Sequence, residues 1–279
     1  MGPWERSVVE ATGTAGTEAA GRVADVLVVF TAGPRTLGVS AIARELGLSK
    51  AVVHRILQAL LTRGLVEPAP DSREYRLGPA AAALGARALR DSDLRSAGMP
   101  VIRALQQEVG ETTTLSQRVP GGRVYLDQVE CPHEVKMTVE VGRLFPLHAG
   151  SSSKCILAFL PAAEQRAILN GPLRTLAART IVDADALREA LRHIRRVGYA
   201  TSQNERQVGA ASVAAPVFDL DGQVVGAISI AAPAHRFDAA AAVRFTPYVV
   251  SAADRISRAL GWRGGLPTVD GAALAGTHR

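Results

Sequence analysis

Two stretches of the chain carry residues whose types and spacing could do chemistry. In the first, Lys50, His54 and Arg55 follow Ser49 at helical spacing, with Ala51 and Val52 between them. They lie opposite the apolar positions Val53, Ile56, Leu57, Leu60 and Leu61, which fall at i, i+3, i+4 and i+7. Cationic and hydrogen-bonding groups opposite such a stripe suit a helix lying in the major groove of DNA. In the second stretch, Gly150 precedes Ser151, Ser152 and Ser153 at the start of an apolar run. Hydroxyls and free N–H groups at a helix N-terminus attract carboxylates or phosphates. Ser212 and Ser229 interrupt apolar strand patterns further on, as residues lining a cavity would. Two other chemistries stay open. Ser151 and Lys154 have the spacing of a serine acyl-enzyme, without the further motifs that such enzymes carry. Cys131, His133, His148 and Cys155 offer zinc-type ligands at no compact metal spacing. No cofactor and no metal is expected.

The elements that must position these groups are legible. Ser40 stands before a helical run containing Ile42 and Leu46, and is expected to cap it. Gly47 ends that run where φ must turn positive, and Ser49 caps the next. Two short amphipathic helices around a tight turn make either a plain helical hairpin or a helix-turn-helix. Downstream, Leu65–Glu67 and Tyr75–Gly78 flank a polar turn containing Pro70 and Asp71, a hairpin pattern. Arg73 and Arg76 lie on or beside it, where they could reach phosphates or a minor groove. A hairpin directly after a recognition-type helix is the wing of a winged helix.

At 279 residues and 47% hydrophobic content, the chain can form two domains of ordinary size. The net charge of +6 suits a nucleic-acid partner. Between Arg35 and Arg76, seven Lys/Arg stand against four Asp/Glu, so affinity must depend on placement and dimerisation. Two cysteines imply no disulfide framework and fit a reducing cytoplasm. No apolar run has the length of a membrane span, and residues 1–18 lack the apolar segment of a secretory signal.

The expected organisation is α+β. Residues 1–18 read as a flexible tail, 19–78 as a winged helix-turn-helix opened by a helix over Ala19–Phe30, and 79–93 as a linker helix. Residues 94–262 read as an α/β domain and 263–279 as a second tail. Within the α/β domain, helices are expected over Val101–Val109, Ser152–Leu160, Ala162–Ile168 and Ala184–Val197. Strands are expected over Thr112–Val119, Arg123–Glu130, Val135–Val139, Val213–Phe218 and Val224–Ile230. A closing helix over Asp238–Leu260 is expected to break or kink at Pro247.

These residues resemble the IclR family of bacterial transcriptional regulators over roughly Gly21 to Arg263. Three segments carry the resemblance: LSKAVVHRIL at Leu48–Leu57 with the RGLVE and YRLG of the wing, GRLFPLHAGSSSKCILAFLP at Gly142–Pro161, and GYATSQNERQVGAASVAAPVFDLDGQVVGAISIAAP at Gly198–Pro233. The resemblance implies an N-terminal winged helix, a linker helix and a C-terminal GAF/PAS-like sensor domain. It also implies homodimers, often paired into tetramers, on palindromic double-stranded operators, controlled by a small effector. By the same resemblance the effector pocket would be lined by Ser151, Ser152, Ser153, Ser202, Ala210, Ser212, Ser229 and Ala231, and the serine-rich helix start makes a small organic acid the expected ligand. Two departures stand out. Ala51 and Val52 replace the small hydroxyl residues that the family often places at the DNA, and could meet thymine methyls instead. The family's acidic cluster after Gly-Tyr-Ala is reduced to Ser202-Gln-Asn-Glu205, with Ser202 in the pocket position.

Overall fold

The computed structural model describes residues 18–266, and the chain divides into two compact units after Ser92. The first unit opens with three helices, α1 (Glu18–Ala32), α2 (Val39–Leu46) and α3 (Lys50–Leu61). A two-stranded hairpin follows, β1 (Val66–Pro68) and β2 (Tyr75–Leu77), and then α4 (Pro79–Arg90). Val26, Val29, Phe30, Leu37, Ile42, Val53, Leu57, Leu60 and Val66 form one buried core under the helices and hairpin. α1 supplies Val26, Val29 and Phe30 to this core, with Val23 and Leu27 only partly buried beside them.

Gly47 takes the left-handed conformation at φ +65°, which stops α2, and Ser49 caps α3 by accepting the Val52 N–H at 3.3 Å. The other cap is displaced from its expected place. α2 starts at Val39 with extended Gly38 as its N-cap, so Ser40 lies exposed inside the first turn and caps nothing. The Gly38 carbonyl already accepts from the Ala41 and Ile42 N–H groups, which leaves no capping role two residues later. Leu37 bridges the outer edge of β2, exchanging two 2.9 Å backbone bonds with Tyr75. α4 buries none of its residues, and Leu84 is exposed.

The second unit is built on a six-stranded antiparallel sheet in the order β5-β4-β3-β8-β7-β6. Its strands are β3 (Thr112–Val119), β4 (Gly122–Val129), β5 (Leu144–Phe145), β6 (Ala200–Gln203), β7 (Ala210–Phe218) and β8 (Val224–Pro233). Its helices are α5 (Asp93–Val109), α6 (Ser151–Phe159), α7 (Ala162–Leu169), α8 (Ala184–Val197) and α9 (Ala239–Ala259). Residues of α6 and α8 share a core with Ala214 and Phe218 of β7 and Val224 and Ala227 of β8. The alternate residues Ala211, Val213, Ala215 and Val217 are buried as well, so both faces of β7 are covered. α5 and α9 pack on each other, with α9 on β7 and α5 on β3. Close approach in the sheet centre requires Gly226, where a Cβ would lie 2.2 Å from the Ser116 carbonyl oxygen.

Four expectations are corrected. α5 runs from Asp93 rather than Val101, because its buried stripe Leu94–Gly98–Val101–Ile102–Leu105 continues through Pro100. Val135–Val139 is no strand: Val135 is exposed, and the Gln128 side-chain amide takes up both the N–H and the carbonyl of Val139 where a neighbouring strand would. β5 pairs with β4 instead. α9 is continuous through Pro247, which lies on its exposed side, where the carbonyl that a proline leaves unbonded can face solvent. Finally, Glu18 begins α1, and Leu266 packs with Trp262 against the α6–α8 core, so neither belongs to a tail. The remainder of the two expected tails lies outside the described residues.

Candidate functional site

The first candidate surface is the outer face of α3. Burial of Val53, Ile56, Leu57 and Leu60 turns Lys50, Ala51, His54 and Arg55 outward, all exposed, with Val52 half-buried beside them. Ser49 is exposed at the helix start. In the hairpin, Asp71 adopts φ +56° and turns the chain at its tip, where Arg73 is exposed. Arg76 stands opposite Glu67 in the register and is ion-paired to it at 2.6 Å, so one of the two hairpin arginines is held along the strands.

The second candidate is a cavity of about 30 Å³ at the N-terminus of α6, between β4, β7 and β8. Seven of the eight residues implied by the resemblance line it: Ser151, Ser152, Ser202, Ala210, Ser212, Ser229 and Ala231. Their hydroxyls do not cap the helix. The N-cap is Gly150, which makes no side-chain bond, and Ser151 instead shares a 2.6 Å hydrogen bond with Ser212 across to β7. Ser229 pairs with Thr114 at 2.7 Å across the β3–β8 register. Ser153 is the eighth residue and does not line the cavity. It is fully buried one layer back, where it accepts a 2.8 Å hydrogen bond from Arg123 Nε.

Arg123 is the residue that sequence reasoning missed. With Tyr125 it sits on one face of β4, at i and i+2, and both line the cavity. Arg123 is 1% exposed. It donates to Ser153, to Ser116 at 3.0 Å and to the Tyr125 hydroxyl at 3.0 Å, all neutral oxygens. Among the described residues no carboxylate is paired with it, although buried cations almost always have one. Burial pulls its guanidinium below the ordinary arginine value, against an opposing pull from the Tyr125 phenol. Burial pushes the Tyr125 phenol up, but the charges of Arg123 and Arg206 outweigh it and leave that phenol more acidic than usual.

Arg206 was missed as well. It rides on the β6–β7 loop, closed by Asn204 at φ +57° with its side chain accepting the Gly209 N–H. Its guanidinium stacks 4.7 Å from the Phe145 ring centroid and lines the cavity. Met137 and Val139, from the irregular stretch strapped down by Gln128, supply apolar lining. An arginine on a strand or loop reads in sequence as a solvated charge; only the missing counter-charge distinguishes these two.

Lys154 is not in the cavity. It is buried in an ion pair with Glu205, and it also donates to the Thr201 carbonyl at 3.0 Å. The second Glu205 oxygen accepts the Gly150 N–H at 3.1 Å. The pair thus ties the start of α6 to the loop that carries Arg206. His148 orients the preceding loop through a 2.8 Å bond between Nε2 and the Arg174 carbonyl. Cys155 gives its thiol to the Ala214 carbonyl, and burial pushes that thiol up to about 12, which keeps it from acting as thiolate ligand or nucleophile.

Comparison with known proteins agrees with the geometry. The model of the IclR helix-turn-helix domain matches residues 19–70, and that of the bacterial transcriptional regulator IclR C-terminal domain matches residues 86–258. The glycerol operon regulatory protein of Streptomyces griseus is 36% identical over 242 residues, which cover 86% of this chain and 95% of that protein. The transcriptional regulator KdgR of Escherichia coli is 30% identical over 229 residues, covering 82% and 87%. Among solved structures, an IclR transcriptional regulator from a Silicibacter species superposes with a TM-score of 0.79 at 29% identity, covering 90% of this chain and all of that one. An IclR homologue from Microbacterium hydrocarbonoxydans, solved with 4-hydroxybenzoate, gives 0.67 at 26% identity, covering 87% and 99%. These relatives are regulators and not enzymes, which corrects the acyl-enzyme alternative; Ser151 is bonded to Ser212, and Lys154 is committed to Glu205. The chain belongs to the IclR family, as a helix-turn-helix DNA-binding transcriptional regulator with a C-terminal α/β domain.

Proposed function

We propose that a small organic acid, bound in the α6 cavity, controls how tightly this regulator holds its operator. The observation that carries this reading is the buried Arg123 guanidinium, which faces a cavity of serine hydroxyls with no carboxylate to balance it. A charge taken out of water without a partner is costly, and an anionic ligand supplies the partner. The homologue that holds 4-hydroxybenzoate, itself a carboxylic acid, supports the same ligand class. Ser151, Ser152, Ser202, Ser212 and Ser229 would bond the acid's oxygens, with Ala210 and Ala231 against its carbon frame and Ser153 fixing Arg123 from behind.

On the DNA side, α3 would enter the major groove, Lys50, His54 and Arg55 meeting bases and phosphates and Ala51 and Val52 meeting thymine methyls. Ser40 and Ser49 would bond phosphates at the two helix starts, and Arg73 and Arg76 would follow the backbone from the wing. The working form would be a cytoplasmic homodimer, able to pair into a dimer of dimers, on a palindromic operator. The unburied, alanine-rich α4 offers a surface for the second copy. Among the described residues no helix is long and apolar enough to cross a membrane.

The ligand can act only by binding one DNA-binding state better than the other. Titrating operator-bound protein with a panel of small acids, read by fluorescence anisotropy, tests this. At least one acid that binds the protein should change operator affinity, and Arg123→Gln should abolish that response. If every acid that binds leaves operator affinity unchanged, the reading falls.

A further inference from the structure

We infer that the cavity is built for a dianion, one small molecule with two negative charges held between Arg123 and Arg206. This rests on the reading that the cavity takes an acid, and goes beyond it by fixing the number of charges and the two residues that count them.

The argument is a charge balance around the cavity. Two guanidiniums line it, and no aspartate or glutamate does. The one carboxylate on the adjoining loop, Glu205, has both oxygens committed, one to Lys154 and one to the Gly150 N–H. Lys154 and Glu205 therefore cancel each other, and neither alters the balance. Arg123 uses three of its five N–H donors on Ser153, Ser116 and Tyr125, which leaves two for a ligand. Arg206 reaches the cavity from the β6–β7 loop and stacks on Phe145, and among the described residues it is ion-paired with no carboxylate. A monoanion would neutralise one guanidinium and shut the other away from water beside it. A dianion compensates both, and planar guanidiniums suit the two-oxygen edge of a carboxylate or phosphate. The cavity is small, so the two charges must lie close together on one compact molecule. A phosphomonoester and a short dicarboxylate share this chemistry.

The test uses the full-length protein and matched probes that differ by one charge: malonate against monomethyl malonate, and methyl phosphate against dimethyl phosphate, at pH 8 by isothermal titration calorimetry. In at least one pair the dianion should bind about tenfold more tightly or better. In Arg206→Gln, a half-buried position that should tolerate the change, the ratio should collapse to within about twofold while monoanion binding persists. Arg123→Lys, which keeps the charge but loses the fork, should weaken the dianion while thermal melting shows a folded protein. Which pair responds tells the phosphate source from the dicarboxylate source. If the monoanion binds as tightly as its dianion in both pairs, or if Arg206→Gln leaves the ratio intact, the two-charge inference is overturned and the acid reading stands. If no member of either pair binds at millimolar concentration, the acid reading falls with it.

Discussion

Breaking the Lys154–Glu205 pair is the sharpest test of how this domain is held together. Both side chains are buried, at 7% and 9% exposure, and they join α6 to the loop between β6 and β7. In Glu205→Gln the Lys154 ammonium keeps only the Thr201 carbonyl, and the amide oxygen can still take the Gly150 N–H. In Lys154→Met the Glu205 carboxylate keeps only the Gly150 N–H. Either change strands a buried charge, which costs about 3–5 kcal/mol. That is a large part of the ~5–15 kcal/mol that holds a domain folded. The double variant leaves no charge behind: Met fills the lysine's volume and Gln still accepts from Gly150. It should therefore cost less than the two single changes summed, by about 2 kcal/mol or more, because the residues share one network. Urea unfolding followed by circular dichroism reads this out, and with a slope of about 2–3 kcal/mol per molar each single variant should lose roughly 1–2 M in midpoint. The loss should fall on the transition of the second unit alone. Single variants within about 0.5 kcal/mol of the parent, as for surface changes, or a strictly additive double variant, would refute the reasoning.

Other outcomes follow from the same geometry. Gly226→Ala should cost more than about 3 kcal/mol in thermal or urea melting, since the added Cβ meets the carbonyl of a central strand rather than a flexible side chain. Tyr125 should be the first tyrosine to ionise in a spectrophotometric titration, below the usual value of about 10, and Tyr125→Phe should remove that step. Because its folded value is depressed, its charge contributes stability that is full above the unfolded value and gone once the pH falls through the folded one. Lys50→Ala should weaken operator binding and lower the salt slope by about 1, whereas Arg76→Ala should cost less than Arg73→Ala because Arg76 must first leave Glu67.

The sequence by itself determined the helices and turns that local physics dictates. The stripe of α3, the Ser49 cap, the left-handed Gly47 and the hairpin of β1 and β2 are all signalled by neighbours within a few residues. Local signals also misled, at Ser40, where Gly38 took the cap, and at Val135–Val139, where one glutamine side chain replaced a strand. Serines that interrupt apolar strands marked the cavity from a distance, and seven of the eight implied by family resemblance line it. Only the tertiary structure decided the charge of that cavity. Whether Arg123, Arg206 or Lys154 faces it depends on which carboxylates fold in beside them: Glu205 reaches Lys154 across 51 positions of sequence, and among the described residues none reaches Arg123. Pairing of charges is a property of three-dimensional proximity, to which spacing along the chain gives no access.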